Sequence, residues 1–204
     1  MVESQLRARG IGDERVLAAF SHVPRHEFTE RYRDQAYEDH PLPIGEGQTI
    51  SQPYIVALML ESLALQPSDR VLEVGTGSGY ATALLAELAG EIVSIERHCT
   101  LAEQARGLLG RLGYVNINVI VGDGSLGFSP AAPFNAILVS AASREVPAAL
   151  VAQLAEGGRM IIPIGPEDSQ QLHHIQIRGG QTQVTPRELC RFVPLIPSVS
   201  VPRA

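Results

Sequence analysis

Three closely spaced glycines carry the first chemical signal in this sequence: "VLEVGTGSGY" places Gly75, Gly77 and Gly79 between a short apolar run and a helical one. With no side chains in the way, a ligand can approach the backbone, where the first N–H groups of the helix point outward. This is how a nucleotide-cofactor loop is built, with Thr76 and Ser78 filling the alternate positions. The spacing is GxGxG, whereas the dinucleotide fingerprint has its third glycine one residue later, where Tyr80 stands. A nicotinamide cofactor is therefore disfavoured.

Acidic residues follow at the spacing of successive βα units. Glu96 ends the run "EIVSIE", where a carboxylate can accept hydrogen bonds from both hydroxyls of an adenosine ribose, and Arg97 adjoins it. Glu73, two residues before the first glycine, is expected to set a negative charge beside the loop. Such a charge suits a ligand carrying a sulfonium and an ammonium better than a pyrophosphate. In "VGDG", Asp123 can accept from an adenine amino group while Gly124 leaves room for the ring. Each feature has an ordinary alternative: a glycine loop can be a plain tight turn, a strand-end acid a helix cap, Asp-Gly a turn pair. Their order along the chain favours a site, because all of them fall at carboxyl ends of strands, where ligands bind in open α/β sheets.

The elements that must position these residues read as βαβ units. Strands are expected at "RVLEVG", "EIVSIE", "NINVIVGDG", "FNAILVSAA" and "RMIIPIG", alternating with helices at "YATALLAELAG", "TLAEQARGLLGRLG" and "EVPAALVAQLAEGG". Thr100 and Glu103 form a capping-box pattern. The class is α/β: a doubly wound, mostly parallel Rossmann-like sheet of about five parallel strands. Two alternating runs around Gly179-Gly180 add a C-terminal antiparallel hairpin.

Ahead of the sheet, "ESQLRARG" and "DERVLAAFSHV" predict two short helices. "DHPLPIGEGQTISQPY" predicts a long loop without a regular element until Gln52. A helix follows to Leu65, with Ile55, Leu58, Met59 and Leu63 on one face and Ser51 as N-cap. One domain is expected over 1–204: an N-terminal cover and substrate loop (1–50), a cofactor-binding core (51–165), then an antiparallel edge and tail (166–204).

Composition narrows the partners. The chain has 204 residues, and its formal net charge of −6 makes a nucleic-acid backbone an unsuitable partner. No apolar run is long enough to span a bilayer and no signal-peptide stretch opens the chain, which predicts a cytoplasmic protein without a membrane partner. Cys99 and Cys190 are expected to be free thiols. His173 and His174 are adjacent in an expected strand and point to opposite faces, so no metal site is expected.

Over Leu6 to Leu195 the chain resembles the protein-L-isoaspartate O-methyltransferases. The motifs that carry the likeness are "LPIGEGQTISQPYIVALMLE", "VLEVGTGSGYATALLAEL", "VGDG", "APFNAILVSAA", "LAEGGRMIIPIG" and "RFVPL"; "GQTISQPY" and "RFVPL" are the specific ones. The resemblance implies S-adenosylmethionine as methyl donor, S-adenosylhomocysteine as product, and isoaspartyl residues of damaged proteins and peptides as acceptors. It implies that Gly75, Gly77, Gly79, Glu96 and Asp123 contact the cofactor and that Ser51 is the active-site serine. Thr49, Tyr54 and Val193 would line the substrate cleft. Asn135 stands where the family often has aspartate, and the Pro/Ser tail after "RFVPL" is unfamiliar. A methyltransferase for a small carboxylic acid, a non-catalytic isoaspartyl- or cofactor-binding module and an NAD-dependent oxidoreductase are the alternatives.

Overall fold

The computed structural model describes residues 1–196, and the Pro/Ser tail lies outside the described residues. Residues 2–9 form two consecutive short turns rather than the first predicted α-helix, ending at Gly10 with φ 96°. A segment of this length nucleates an α-helix poorly, and it is held by burial of Leu6. Helix α1 (Glu14–His22) is capped by Asp13, whose carboxylate accepts from the Arg15 N–H. Two 3-10 turns follow, Arg25–Phe28 and Glu30–Gln35.

The stretch expected to be irregular contains a small antiparallel hairpin, β1 (Leu42–Gly45) and β2 (Gln48–Ile50). Its strands are shorter than any alternating pattern can reveal. Glu46 and Gly47 both take positive φ, 50° and 69°, the conformation that two-residue hairpin turns require. Helix α2 (Pro53–Leu63) follows, and Ser51 is not its N-cap: Gln52 occupies that position without a side-chain cap. Asp39 takes over the role from a distance, its Oδ1 accepting from the Tyr54 N–H at 3.0 Å.

The main sheet contains β3 (Arg70–Val74), β4 (Glu91–Glu96), β5 (Ile117–Val121), β6 (Phe134–Val139), β7 (Leu154–Ile164), β8 (Gln170–Arg178) and β9 (Gln181–Cys190). Its order is β5-β4-β3-β6-β7-β8-β9, parallel from β5 to β7 and antiparallel over the last two strands. The expected doubly wound class is therefore present. The β8–β9 turn at Gly179 and Gly180 has φ of 58° and 72°.

Helices α3 (Tyr80–Leu88) and α4 (Cys99–Arg111) connect the parallel strands, but α5 (Ala148–Val151) is a single turn. The long helix predicted there fails because Leu154 already pairs with Phe134 and Gly157 takes φ 74°, so the chain re-enters the sheet early. The capping box fails as well. Helix α4 begins at Cys99, which puts Thr100 inside it, and Glu96 Oε1 accepts from the His98 N–H instead.

Alternation along the strands divides the core. Val71 joins a cluster with α1, α2 and α3, while Leu72 and Val74 face a second cluster that includes Leu150 of α5. At the amino ends of the strands, Asn135 Oδ1 accepts from the Arg70 N–H, and Arg159 pairs with Asp69. The family-atypical asparagine is thus a backbone acceptor at the opposite end of the sheet from the glycine loop. Among the described residues, no helix is long and apolar enough to cross a membrane.

Candidate functional site

Strand β3 has β4 on one side and β6 on the other, so the connections leave it in opposite directions, and a crevice opens at its carboxyl end. Gly75, Thr76, Gly77 and Ser78 line a cavity there, together with Glu96, Arg97 and Gly124. Gly75 takes φ 95°, a region that side chains disfavour, and this turns the chain sharply off the strand. At Gly124 a Cβ would lie 2.4 Å from Val74 Cγ1, so only glycine fits beside β3.

Glu96 is 5% exposed and held from two sides, Oε2 accepting from the Gly77 N–H at 2.8 Å and Oε1 from the His98 N–H at 2.9 Å. The carboxylate is therefore fixed against the glycine loop with lone pairs to spare. Asp123 shows the ordinary role foreseen for it, its Oδ1 accepting from the Ser125 N–H and hydroxyl, and Gly124 rather than Asp123 lines the cavity.

Glu73 does not supply the negative charge expected of it. Its side chain is fully buried and accepts from the hydroxyls of Thr82 and Ser94, while Oε1 has no partner. Burial pushes its carboxyl up from the ordinary range to about 8, so at neutral pH it is mostly protonated. The Ser94 hydroxyl also bonds with Thr76 Oγ1, which ties this buried acid to the loop from beneath.

The other wall comes from distant segments. Gln48, Thr49, Ile50 and Ser51 enter from the hairpin side, and Phe192, Val193 and Pro194 from the C-terminal side. The latter are held by main-chain bonds, Ala142 N–H to Val193 O and Leu195 N–H to Ala142 O, and Arg97 donates to Ile196 O at 2.8 Å. The hairpin leans over the glycine loop: a Cβ on Gly77 would meet Ile44 Cδ1 at 3.2 Å, and Glu46 reaches His98 at 3.8 Å. Thr49, Ser51 and Val193 thus share one cavity with the glycine loop. Tyr54 does not line it; its ring lies 3.4 Å beneath the Arg9 guanidinium carbon.

Arg25 is the residue that sequence reading missed. It is fully buried, its Nε donates to Ala36 O at 2.7 Å and its Nη2 to Ser51 O at 2.8 Å, and its guanidinium lies 4.7 Å from the Tyr80 ring centroid. The only local signal is its place after Pro24, which says nothing of a partner 26 residues on. Cys99 and Cys190 are both free, and neither lines the cavity. No cluster of three or more metal-ligating side chains occurs among the described residues.

The description "Protein-L-isoaspartate(D-aspartate) O-methyltransferase (PCMT)" belongs to the family model that matches residues 1–200. A protein-L-isoaspartate O-methyltransferase of Methanoculleus marisnigri is 56% identical over 96% of this chain and 90% of its own. One of Koribacter versatilis is 57% identical over 96% of this chain and 89% of its own. Among solved structures, one described as a protein-L-isoaspartate O-methyltransferase from Plasmodium falciparum, in complex with S-adenosyl-L-homocysteine, superposes with a TM-score of 0.84. It is 29% identical and covers 96% of both chains.

Proposed function

The chain belongs to the protein-L-isoaspartate(D-aspartate) O-methyltransferase family, and we propose that it methylates the free carboxylate of L-isoaspartyl residues in damaged proteins and peptides. S-adenosylmethionine supplies the methyl group from its sulfonium and leaves as S-adenosylhomocysteine. The observation that carries the reading is a single cavity lined by both the glycine loop with Glu96 and by Ser51 with Val193.

The residues present fit the cofactor. Glu96 would accept from the ribose hydroxyls, the backbone of Gly75, Thr76, Gly77 and Ser78 would receive the amino-acid end, and Arg97 and Gly124 would border the adenine, with Gly79 and Asp123 flanking these lining residues. Glu73 supports the loop from below rather than facing the ligand. On the acceptor side no general base is needed, since a carboxylate with an ordinary pKa of about 4 is already ionised at neutral pH. Ser51 donates its hydroxyl to one carboxylate oxygen and leaves the other for transfer; such orientation can supply several kcal/mol of barrier reduction. Thr49 and Val193 shape the cleft, and the overhanging hairpin excludes water. The resulting ester invites attack by the adjacent backbone nitrogen, which gives a succinimide that reopens in part to aspartate. A single domain acting in the cytoplasm, without nucleic acid or membrane, completes the reading, and the two free thiols are in keeping with a reducing compartment.

The test uses labelled S-adenosylmethionine and matched peptides that differ only in aspartyl or isoaspartyl linkage. Label should enter the isoaspartyl peptide alone, and equal incorporation into both would sink the acceptor assignment. Because Ser51 does not cap α2, Ser51→Ala and Ser51→Asp should both keep the wild-type melting temperature. The alanine variant should turn over roughly tenfold or more slower, and the aspartate variant, which opposes the incoming carboxylate, slower still. A fully active Ser51→Asp enzyme at saturating cofactor would end the role of Ser51.

A further inference from the structure

We propose that Arg25 is a positioning residue for methyl transfer: it holds the Ser51 main chain so that the serine hydroxyl meets the acceptor carboxylate, and it sets a buried positive charge behind that point. The proposal rests on the reading of Ser51 given above.

Arg25 is 0% exposed, and its two hydrogen-bond acceptors are main-chain carbonyls, Ala36 O and Ser51 O, while Nη1 bonds to nothing. Among the described residues it has no ion pair. Burial lowers its proton affinity, while Tyr80, Asp39 and Tyr37 raise it through space, and Asp39 is already occupied by Arg9, Gln52 and the Tyr54 N–H. Guanidinium keeps its proton even when buried, and a buried cation without a paired anion is expensive to maintain. Here the cation holds the carbonyl of Ser51, whose hydroxyl is the one assigned above to the acceptor carboxylate. Its face also lies against Tyr80, which lines the same cavity and begins α3 directly after the glycine loop. One side chain therefore ties Ser51, the N-terminal segment and the cofactor helix together.

Two effects separate by sign. Transfer of CH3⁺ from the sulfonium to the carboxylate forms the new C–O bond as the S–C bond breaks, and it turns an anion and a cation into neutral ester and thioether. A positive charge near the acceptor thus stabilises the bound carboxylate more than the half-neutralised transition state, so it acts on KM. The two-pronged grip on the main chain acts on kcat, because it fixes the direction of the Ser51 hydroxyl. Lysine retains the charge but not the two-pronged geometry, whereas glutamine loses both.

The experiment measures kcat and KM for an isoaspartyl peptide, and the Kd of S-adenosylhomocysteine, in Arg25→Lys, Arg25→Gln, Ser51→Ala and the Arg25→Lys/Ser51→Ala double variant. Arg25→Lys should lower kcat about tenfold with KM and cofactor Kd within about twofold, and Arg25→Gln should also raise KM. In the Ser51→Ala background the lysine substitution should add nothing, since the residue acts through the serine. Additive losses, an unchanged kcat, or a cofactor Kd that worsens in step with kcat would each overturn the proposal. A slowed Ser51→Ala with additive losses removes only Arg25, whereas a fully active Ser51→Ala removes the reading beneath it as well. Should Arg25→Lys fail to fold, the Arg25 Nε–H resonance of the wild-type S-adenosylhomocysteine complex decides. It should shift with the isoaspartyl peptide and not with its aspartyl isomer, and a resonance unmoved by either would overturn the proposal.

Discussion

The two walls of the cavity are built in opposite ways. The cofactor wall comes from neighbouring βα units: the glycine loop is braced by Glu96 and Ser94 of the adjacent strand, and Ser94 and Thr82 both donate to the buried Glu73 beneath it. The acceptor wall is gathered from remote segments, with Ser51 held by Arg25, α2 capped by Asp39, and Val193 bonded to Ala142. Short-range bracing makes a motif that can recur wherever the sheet recurs. Long-range bracing ties the proposed acceptor wall to a chain that brings Arg25 against Ser51 and Val193 against Ala142. The two walls should therefore fail separately.

The largest expected effect is on the cofactor wall. Glu96→Ala removes the ribose acceptor proposed above and also frees the Gly77 and His98 N–H groups, so the loss should be about 3 kcal/mol, the scale of charged hydrogen bonds. Titration calorimetry should show the Kd of S-adenosylhomocysteine rising roughly a hundredfold, with kcat at saturating cofactor changed only a few-fold. A matching rise in peptide KM would show that the walls are not independent.

Glu73 offers a second break on the same side. Its folded pKa is raised, from 4.5 to about 8. Its stabilising contribution is therefore fully present below the unfolded value and lost as pH rises through about 8, because the unfolded carboxyl gives up its proton first. Wild-type stability relative to Glu73→Gln should fall by about 2 kcal/mol between pH 5.5 and 7, the slope of one titrating group. Denaturant melts at several pH values measure it, and a flat difference would mean that the carboxyl ionises normally inside the fold.

The same division explains what could be read from the sequence. The glycine loop, Glu96, the parallel strands and the Gly179-Gly180 turn are local patterns, and the structure holds all of them. A role for Ser51 is suggested only by family likeness, and the cap expected of it is absent: serine two residues before Pro53 looks like a cap, and nothing nearby shows that Asp39 outcompetes it. The position of Glu73 beside the loop is legible but its charge is not, since its depth and its hydroxyl partners belong to tertiary packing. Arg25 was invisible, because an arginine after a proline has no periodicity to betray burial. The hairpin over the loop was hidden by strands of four and three residues.

The smallest expected effect tests the acceptor wall alone. Asp39 accepts from the Tyr54 N–H, from Gln52 Nε2 and from the Arg9 guanidinium, so it fixes the start of α2 directly after Ser51. Asp39→Ala removes a helix cap, which is worth about 1 kcal/mol, and lets the Ser51-Gln52 segment drift from its bonded position. Melting should register the lost cap, and turnover of the isoaspartyl peptide should fall a few-fold. The Kd of S-adenosylhomocysteine should hold, since Asp39 is not among the residues lining the cavity. Asp39→Asn keeps an oxygen for the Tyr54 N–H and should recover most of the stability; what it gives up is the ion pair to the partly exposed Arg9, worth less than about 1 kcal/mol. If the alanine variant is as stable as wild type, some other group caps α2 and Ser51 regains a claim to that role. If cofactor affinity falls in step with turnover, the two walls are one mechanical unit despite their separate bracing.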